Sequence, residues 1–396
     1  MINLRMAENG EIYPTDADSQ DKLSKNFFGQ QAGRCALNIE EVLYLITFQN
    51  ASCFDESGKK YTFNELASAF SKTEAKIFVR YNAYRDWRDR GLIIRRLEDF
   101  RRKAGNNAAK NYPVKKPQFE KADGEAVWYG DSMFSVIEDD NLGQLFFEKY
   151  WLGQWGIYKQ QRGGLLKMSF LETVYANRHF GIKIKDSITG KHLTYRNILS
   201  DLKKKREYTR QLYEVYEKWR DCGYVVKTGF KFGSHFRIYF PGASPVKQDK
   251  WLHSRHVLHV FPGEEKLLIS EWARVVRVAH SVKKTFILAI PKLKPTDYVE
   301  YPNHSLYLAF RRKKTREGWV RETTEDGPRY LLAAVSEDEH IGGFDLASLL
   351  KKGYGMGLEV LLSITDRETS VTYYLLKKVL LGDSDYEYYE IEWIKP

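Results

Sequence analysis

Residue types suited to proton transfer and charge stabilisation gather in the middle of the chain. Tyr239 lies near the end of GYVVKTGFKFGSHFRIYF, His253 lies in WLHSRHVLH, and Lys284 ends RVAHSVKK. A histidine gives or takes a proton near neutral pH, and a lysine stabilises a phosphate whose negative charge grows during a reaction. A tyrosine has a pKa of about 10, so as a base it needs neighbouring cations, or else it acts by orientation. These residue types suit acid–base chemistry at a phosphate.

Each of these residues also has an ordinary structural interpretation. Tyr239 could be one of many strand tyrosines, and Lys284 ends a predicted helix, where cations interact favourably with the helix dipole. His253, His256 and His259 invite a zinc interpretation, but no cysteine or HExxH pattern lies nearby. Strand alternation would also turn His256 away from the other two histidines. We therefore predict no metal site and no cofactor.

The same three segments resemble the tRNA-splicing endonucleases of archaea. Residues 223–240 are similar to the family's GYVVKxGxKFGxxFRVY segment, residues 253–254 to its HS motif before an apolar strand, and residues 277–284 to its RVAHSVRK. Three motifs in the same order make a specific match. The resemblance covers about residues 120–290 well and the rest of the chain through repeats or pattern only.

The resemblance implies a catalytic set of Tyr239, His253 and Lys284. RNA carries its own nucleophile, so its cleavage needs a base beside the ribose 2′-hydroxyl, an acid for the leaving 5′-oxygen and a cation for the phosphate. The three residues suit these roles in that order. The resemblance also implies 2′,3′-cyclic phosphate and 5′-hydroxyl products, no metal, and a fused three-unit chain acting as a homodimer. The implied substrate is precursor tRNA with a bulge-helix-bulge at its intron junctions.

Four further residues take roles from the same resemblance. Arg277 matches an arginine that stacks on a bulge base, and Trp393 lies where some relatives place a second arginine or an aromatic. Trp393 could equally be a core residue of a terminal strand. The loop TDRETS at residues 365–370 resembles an acidic loop that docks into another unit, with Asp366 and Glu368 as its contacts, although a solvated hairpin turn fits it nearly as well.

An internal repeat at an offset of 132 residues organises the chain. Residues 81–96, YNAYRDWRDRGLIIRR, match residues 213–228, YEVYEKWRDCGYVVKT, without a gap, and each copy predicts a helix, a glycine C-cap and a short strand. A third segment follows the β-rich part of the second copy at an offset of 74. At that offset Leu358 replaces Lys284, so we predict one catalytic unit per chain. We interpret the third segment as the β-rich half missing from the first copy.

The predicted fold class is mixed α/β (α+β), with tandem duplicated units. Each unit has a small N-terminal α/β module and a β-rich C-terminal module with one packed helix. We predict a non-catalytic N-terminal repeat at 1–100, a linker at 101–121, a catalytic unit at 122–310 and a C-terminal β-rich non-catalytic module at 311–396.

The second copy carries an insertion within residues 154–167. Glu40 lies 11 residues after Gly29, whereas Glu172 lies 19 after Gly153, which predicts 8 extra residues. The inserted stretch QWGIYKQQRGGLLK contains Lys159, Arg162 and Lys167, no acidic residue and no strand or helix periodicity. We predict a flexible basic loop that contacts RNA phosphates, most importantly for irregular bulges; a solvated insertion is almost as good an interpretation.

Composition agrees with a nucleic-acid partner. The formal net charge of +11 favours polyanions, and 43% hydrophobic residues exclude a disordered chain. The chain shows no apolar signal segment or membrane span, and its three cysteines are widely spaced, so we predict a cytoplasmic protein with reduced thiols and no membrane partner. Two alternatives remain. One is an inactive RNA-binding scaffold of the same fold, and the other is a DNA endonuclease, for which a clustered acidic metal site is missing.

Overall fold

A computed structural model describes residues 1–29, 35–97, 109–156, 163–246, 253–261, 263, 265–301 and 305–396. It has the mixed α/β class that the sequence predicts. Two small α/β modules pack on one face of a long central sheet, and two helices pack on the other face.

The first module contains a three-stranded sheet and four helices, and it ends in a fourth strand that joins the central sheet. Its elements are β1 (Ile2–Met6), β2 (Ile12–Pro14), α1 (Ala17–Lys25), α2 (Ile39–Phe48), β3 (Ala51–Phe54), α3 (Phe63–Phe70), α4 (Ile77–Asp89) and β4 (Ile94–Arg96). Strands β2, β1 and β3 form one sheet in that order. Helix α3 begins at a capping box of Thr62 and Glu65, which satisfies the free N–H groups of its first turn.

The second module repeats this plan with a larger sheet. Its elements, with the short β5 (Lys110–Asn111) before them, are β6 (Glu125–Tyr129), β7 (Phe134–Ile137), α5 (Asp140–Tyr150), β8 (Gln154–Trp155), β9 (Leu166–Ser169), α6 (Phe170–Tyr175), β10 (Lys183–Asp186), β11 (His192–Leu193), α7 (Tyr195–Lys205) and α8 (Thr209–Asp221). The sheet order is β11-β10-β6-β7-β9-β8. One π-helical turn, Ala176–Phe180, extends α6.

The helix–glycine–strand element of the repeat forms in both copies. Helices α4 and α8 end before Gly91 and Gly223, whose positive φ angles of 74° and 93° turn the chain into the next strand. A Cβ atom on Gly223 would lie 2.1 Å from the backbone oxygen of Lys115, so only glycine fits there. Trp87 of α4 and Trp219 of α8 are fully buried on the inner faces of their helices, as expected for core positions of the repeat.

The rest of the chain supplies most strands of the central sheet, two helices that pack on it and two separate two-stranded sheets. These elements are β12 (Val225–Thr228), β13 (Phe236–Tyr239), β14 (His256–Val260), β15 (Lys266–Leu268), α9 (Ile269–Ser281), β16 (Thr285–Pro291), β17 (Leu306–Ala309), β18 (Arg312–Thr315), β19 (Gly318–Arg321), β20 (Tyr330–Ser336), β21 (His340–Gly342), α10 (Gly343–Gly355), β22 (Glu359–Thr365), β23 (Val371–Leu380) and β24 (Tyr386–Ile394). Strands β15 and β21 pair with each other, as do β18 and β19. In the central sheet the strand order is β12-β13-β14-β16-β24-β23-β22-β20-β17-β4, with β5 pairing β23.

The two halves of this strand order have the same pattern of connections, and they meet between β24 and β23. On one side α9 connects the parallel strands β14 and β16, and on the other α10 connects the parallel strands β20 and β22. Strand β4, from the first repeat, pairs with β17, more than 200 positions later in the chain. The β-rich half of the first unit is therefore supplied by the C-terminal segment.

Two stretches depart from the predicted organisation. Strand β17 falls inside the predicted catalytic range 122–310 but pairs with β4 and β20 of the other half, and we propose that the boundary lies between β16 and β17. Within the predicted linker 101–121, residues 109–121 are described, and Tyr112 is buried in the core beneath the central sheet.

The repeat alignment also needs one correction. The carboxylate of Glu41 accepts from the N–H groups of Gly29 and Asn38, and the carboxylate of Glu172 accepts from those of Gly153 and Ser169. Glu41, not Glu40, therefore corresponds to Glu172. Since Glu41 lies 12 residues after Gly29 and Glu172 lies 19 after Gly153, the insertion is 7 residues rather than 8.

Candidate active site

Three neighbouring strands end or begin at one edge of the central sheet, and each has one member of the predicted set. Tyr239 is the last residue of β13, Lys284 comes directly before β16, and His253 lies three positions before β14. Ile238 of β13 faces His256 of β14, which also faces Thr285 of β16. The ends that carry the three residues therefore meet at the same edge, although 45 positions separate Tyr239 from Lys284.

Tyr239 and His253 differ in their exposure to solvent. The ring of Tyr239 is only 6% exposed and packs against Trp151, with 4.8 Å between the ring centroids. Trp151 follows α5 in a left-handed conformation (φ 47°), which directs the chain of the second module back toward the sheet. His253 is exposed, so its imidazole is accessible to a substrate at this edge.

Lys284 is held in place from two sides. Its Nζ donates a hydrogen bond to the backbone oxygen of Ser254, the residue after His253, and lies 5.2 Å from the centroid of the Phe232 ring. Partial burial and the nearby charge of Arg237 lower the pKa of Lys284 from its usual value. The contact with Ser254 joins the lysine to the HS segment directly.

The histidines of WLHSRHVLH point to different surroundings, as the pleat predicts. His256 Nε2 lies 2.9 Å from the hydroxyl oxygen of Tyr112, and burial lowers the pKa of His256 to about 4. His259 stacks on His235 with 4.2 Å between ring centroids, and burial lowers its pKa to about 4 as well. His256 and His259 are therefore turned to opposite faces of β14.

One group of possible metal ligands occurs elsewhere in the described part of the chain. His179, Glu217 and Asp221 bring their ligand atoms within 4.8 Å of one another in the second module. Hydrogen bonds already occupy these groups, from Tyr175 to Asp221 at 2.9 Å, from Arg178 to Glu217 at 3.0 Å, and between His179 and Glu217 at 2.7 Å. This cluster is not part of the site at the sheet edge.

The two residues predicted to hold a base lie around helix α9. Arg277 is exposed on α9, seven positions before Lys284. Trp393 is half-buried on β24 and packs edge-on against His280 of α9, with 5.5 Å between ring centroids. Trp393 therefore contributes to the core under α9 and also keeps a partly accessible face.

The basic insertion has more structure at its base than we predicted. Strands β8 and β9 pair antiparallel at the two ends of the insertion, with Gln154 opposite Lys167, so Lys167 is an exposed strand residue rather than part of a flexible loop. The pleated pair was missed because each strand contributes too few residues to show a periodicity of two. Lys159 and Arg162 lie outside the described residues.

In the acidic loop between β22 and β23, one of the two predicted docking carboxylates accepts hydrogen bonds from the loop's own backbone. Asp366 accepts backbone hydrogen bonds from Glu368 at 2.9 Å and Ser370 at 2.8 Å, which stabilises the turn. Glu368 is exposed, and its carboxylate has no ion-pair partner among the described residues. The loop is also held from α4, because Arg85 donates to the oxygen of Thr369 at 2.8 Å.

Sequence reasoning missed several residues that surround the site. Phe232, Arg237 and Ser254 lie inside the quoted motifs, so their nearness to Lys284 could have been inferred from those segments. Trp151 is more than 80 positions away from Tyr239 in sequence and gives no local signal. Only the packing of the module on the sheet brings it there.

The duplicated fold brings candidate acid–base residues together at one sheet edge, an arrangement suited to an enzyme built from repeated units. Residues 209–301, from the start of α8 to beyond β16, match the family model "tRNA intron endonuclease, catalytic C-terminal domain". The three residues of the predicted set lie within this match.

Relatives named tRNA-splicing endonuclease agree with the family model. The protein of Pyrococcus abyssi is 36% identical over 161 residues, which are 41% of this chain and 84% of that protein. The Methanopyrus kandleri protein is 32% identical over 141 residues (36% and 75% of the two chains), and that of Methanosarcina barkeri is 30% identical over 135 residues (34% and 37%). The chain belongs to the tRNA intron endonuclease family, and the prediction of an archaeal-type endoribonuclease is confirmed at this level.

In the part of the chain that the structure describes, no helix is both long enough and apolar enough to cross a membrane.

Proposed function

We propose that this protein cleaves precursor tRNA at the bulge-helix-bulge junctions of an intron, without a metal ion, leaving 2′,3′-cyclic phosphate and 5′-hydroxyl ends. The observation that carries the proposal is the meeting of Tyr239, His253 and Lys284 at one sheet edge. The relatives that are named tRNA-splicing endonuclease support the choice of substrate.

In the proposed reaction the ribose 2′-oxygen attacks the adjacent phosphorus while the bond to the 5′-oxygen breaks. Tyr239 removes or orients the 2′-hydroxyl proton, and exposed His253 gives a proton to the leaving 5′-oxygen. Lys284 stabilises the extra negative charge on the phosphate oxygens. Its hydrogen bond to the Ser254 backbone keeps the ammonium group beside His253, so acid and cation act on the same phosphate.

A single incubation distinguishes this function from the two alternatives. The protein is mixed with a bulge-helix-bulge RNA and with duplex DNA, in EDTA and in Mg²⁺. Cleavage of RNA in EDTA supports the proposal. RNA binding without cleavage under any condition would favour an inactive scaffold, and metal-dependent cutting of DNA would favour a DNA endonuclease.

Substitutions test the assigned roles. We expect His253→Ala and Lys284→Ala each to lower the single-turnover cleavage rate by at least about 10²-fold and to leave RNA affinity within a few-fold, because both residues act on the transition state. Lys266→Ala, at an exposed lysine of β15, is the control. An RNA with a 2′-deoxy residue at the cleavage point should not be cut, and its cleavage would contradict the mechanism.

A precursor with two symmetric cleavage points suits an enzyme with two sites, and the residues that the structure describes hold one proposed set. Because β17, β20 and β22 pair as β13, β14 and β16 do, the strand pairings place Phe310, Gly327 and Leu358 where the catalytic half has Tyr239, His253 and Lys284. Gly327 lacks a side chain, and Phe310 and Leu358 are fully buried and apolar. A homodimer with two active sites is therefore part of the proposal.

The remaining predicted contacts keep their roles within this proposal. Arg277 and the partly accessible face of Trp393 would hold an unpaired bulge base by stacking. Lys159, Arg162 and Lys167 of the basic insertion would contact phosphates near the cleavage point.

A further inference from the structure

The antiparallel hairpin of β18 and β19 projects from the non-catalytic half and carries a basic, aromatic face. Arg312 pairs with Arg321 and Lys314 with Trp319 across the two strands. Since opposite residues and every second residue point to the same side of a hairpin, these four side chains share one face. Three cationic side chains therefore lie on the same face of the hairpin as one indole ring.

The base of the hairpin is anchored to the first module. Arg312 donates to the backbone oxygen of Arg90 at 2.8 Å, and Arg321 donates to that of Gly91 at 3.5 Å, so both satisfy carbonyl groups at the end of α4. Arg321 also lies 5.2 Å from the centroid of the Phe27 ring. On the opposite face Lys313 forms an ion pair with Asp326.

The outer end of the hairpin has no such partners. Trp319 is 69% exposed and makes no ring contact with the residues that the structure describes. Lys314 and the turn residue Arg316 are exposed and have no ion pair within the described ranges. An exposed indole flanked by free cations is suited to an unpaired base with its neighbouring phosphates, because stacking and charge act together there.

The position of the hairpin in the fold sets its distance from the proposed active site. It connects Phe310 to Gly327, the counterparts of Tyr239 and His253, so it takes the place of the segment that leads into the active site of the catalytic half. Strands β13 and β17 lie seven positions apart in the sheet, which is on the order of 30 Å at the usual strand spacing. The hairpin thus lies far from the sheet edge that carries Tyr239, His253 and Lys284 in the same chain.

We propose that the β18–β19 hairpin is a second RNA-binding surface, on which Trp319 stacks with an unpaired or terminal base while Lys314 and Arg316 contact phosphates of the precursor remote from the cleavage point. This inference rests on the proposed function.

The test compares a short RNA, holding only the cleavage site and a few base pairs on each side, with a complete precursor tRNA. Both carry 2′-deoxy residues at the cleavage points, so that binding is measured without cutting. We expect Lys314→Ala with Trp319→Ala to weaken binding of the complete precursor about five- to tenfold and that of the short RNA less than twofold. Trp319→Phe should keep most of the affinity, since it retains an aromatic face.

A salt titration separates the two kinds of contact. Lys314→Ala with Arg316→Ala should reduce the slope of log affinity against log salt concentration by about 1 to 2, whereas Trp319→Ala alone should lower affinity without changing the slope. The matched control is Lys72→Ala with Phe78→Ala, a lysine and an exposed aromatic side chain on the first module. It should bind both RNAs as the wild type does.

Several results would overturn the proposal. Unchanged binding of the complete precursor, or equal losses for both RNAs, would exclude a remote contact. Loss of the dimer in light scattering of the Trp319→Ala variant would assign the face to contacts between copies of the chain. If the unmodified short RNA is not cut by the wild type, the proposed function itself fails, which is a separate outcome.

Discussion

At the scale of single residues, the surroundings of Lys284 matter more than its type. A lysine at the end of a helix is common. Lys284, however, lies near the charge of Arg237 and over the ring of Phe232, and it donates a hydrogen bond to the backbone oxygen of Ser254. These contacts hold one cation close to an exposed histidine. The lowered pKa of Lys284 follows from the same surroundings, because burial and a like charge both disfavour its protonated form.

The lowered pKa predicts an alkaline limit on the cleavage rate. The charged form of Lys284 is complete at low pH and is lost as pH rises through its lowered pKa, so the rate should fall at a pH below the usual lysine value of about 10.4. Arg237→Gln should move this fall to higher pH, because it removes the neighbouring cation, and Lys284→Arg should abolish it.

Single-turnover rates across pH 7 to about 10.5 measure this profile, with Arg274→Gln on the exposed face of α9 as the matched control. An alkaline limit that is the same in wild type, Arg237→Gln and Lys284→Arg would contradict the assignment.

At the scale of elements, one buried ion pair connects the second module to the catalytic sheet. Lys227 of β12 donates to the carboxylate of Glu172 at the start of α6, at 2.7 Å, and to the backbone oxygen of Gly153, also at 2.7 Å. Both side chains of the pair are about nine-tenths buried. In the first repeat Arg95 likewise donates to the backbone oxygen of Gly29, whose N–H donates to the carboxylate of Glu41.

Removal of one partner from this pair should destabilise the fold strongly. Lys227→Met leaves the Glu172 carboxylate buried without its cation, and we expect a loss of about 3–5 kcal/mol in the free energy of unfolding. The double variant Lys227→Met with Glu172→Gln should recover at least about 1 kcal/mol of this loss, since it removes the unpaired charge.

Denaturant unfolding followed by circular dichroism measures these differences, and Lys185→Met, at an exposed lysine of β10, should change stability by less than about 0.5 kcal/mol. A loss below about 1 kcal/mol for Lys227→Met would show that the pair does not connect the two elements energetically.

At the scale of the whole molecule, one half of the pseudo-symmetric sheet carries the three proposed catalytic residues, and the other half has Phe310, Gly327 and Leu358 at the corresponding positions. The acidic loop at 365–370 lies in the second half, after β22. Its structure separates the two predicted docking residues, because Asp366 stabilises the turn while Glu368 is available to a partner.

We therefore expect Glu368→Lys to weaken the homodimer at least tenfold without unfolding the loop, because it reverses a free charge and leaves the Asp366 hydrogen bonds in place. Glu56→Lys, on an exposed turn of the first module, is the control and should leave assembly unchanged. Light scattering at several protein concentrations measures the effect. An active wild type with the mass of one 46.4 kDa chain would contradict the homodimer.

The sequence by itself determined the repeated helix–glycine–strand element, the mixed α/β class and the three motifs at the sheet edge. These features depend on local periodicity, capping and turn residues, which short segments encode. The two β-rich halves could also be predicted from the sequence, because buried strands keep their apolar pattern after the individual residues have diverged.

Only the tertiary structure decided which distant segments meet. It pairs β4 with β17, packs Trp151 on Tyr239 and pairs the two ends of the basic insertion as strands. It also aligns Glu41, rather than Glu40, with Glu172 of the second repeat. It also set Trp319 among cations across two strands. Such contacts depend on the shapes of surfaces formed after the local elements exist, and their energy comes from burial and pairing between residues whose sequence spacing carries no signal.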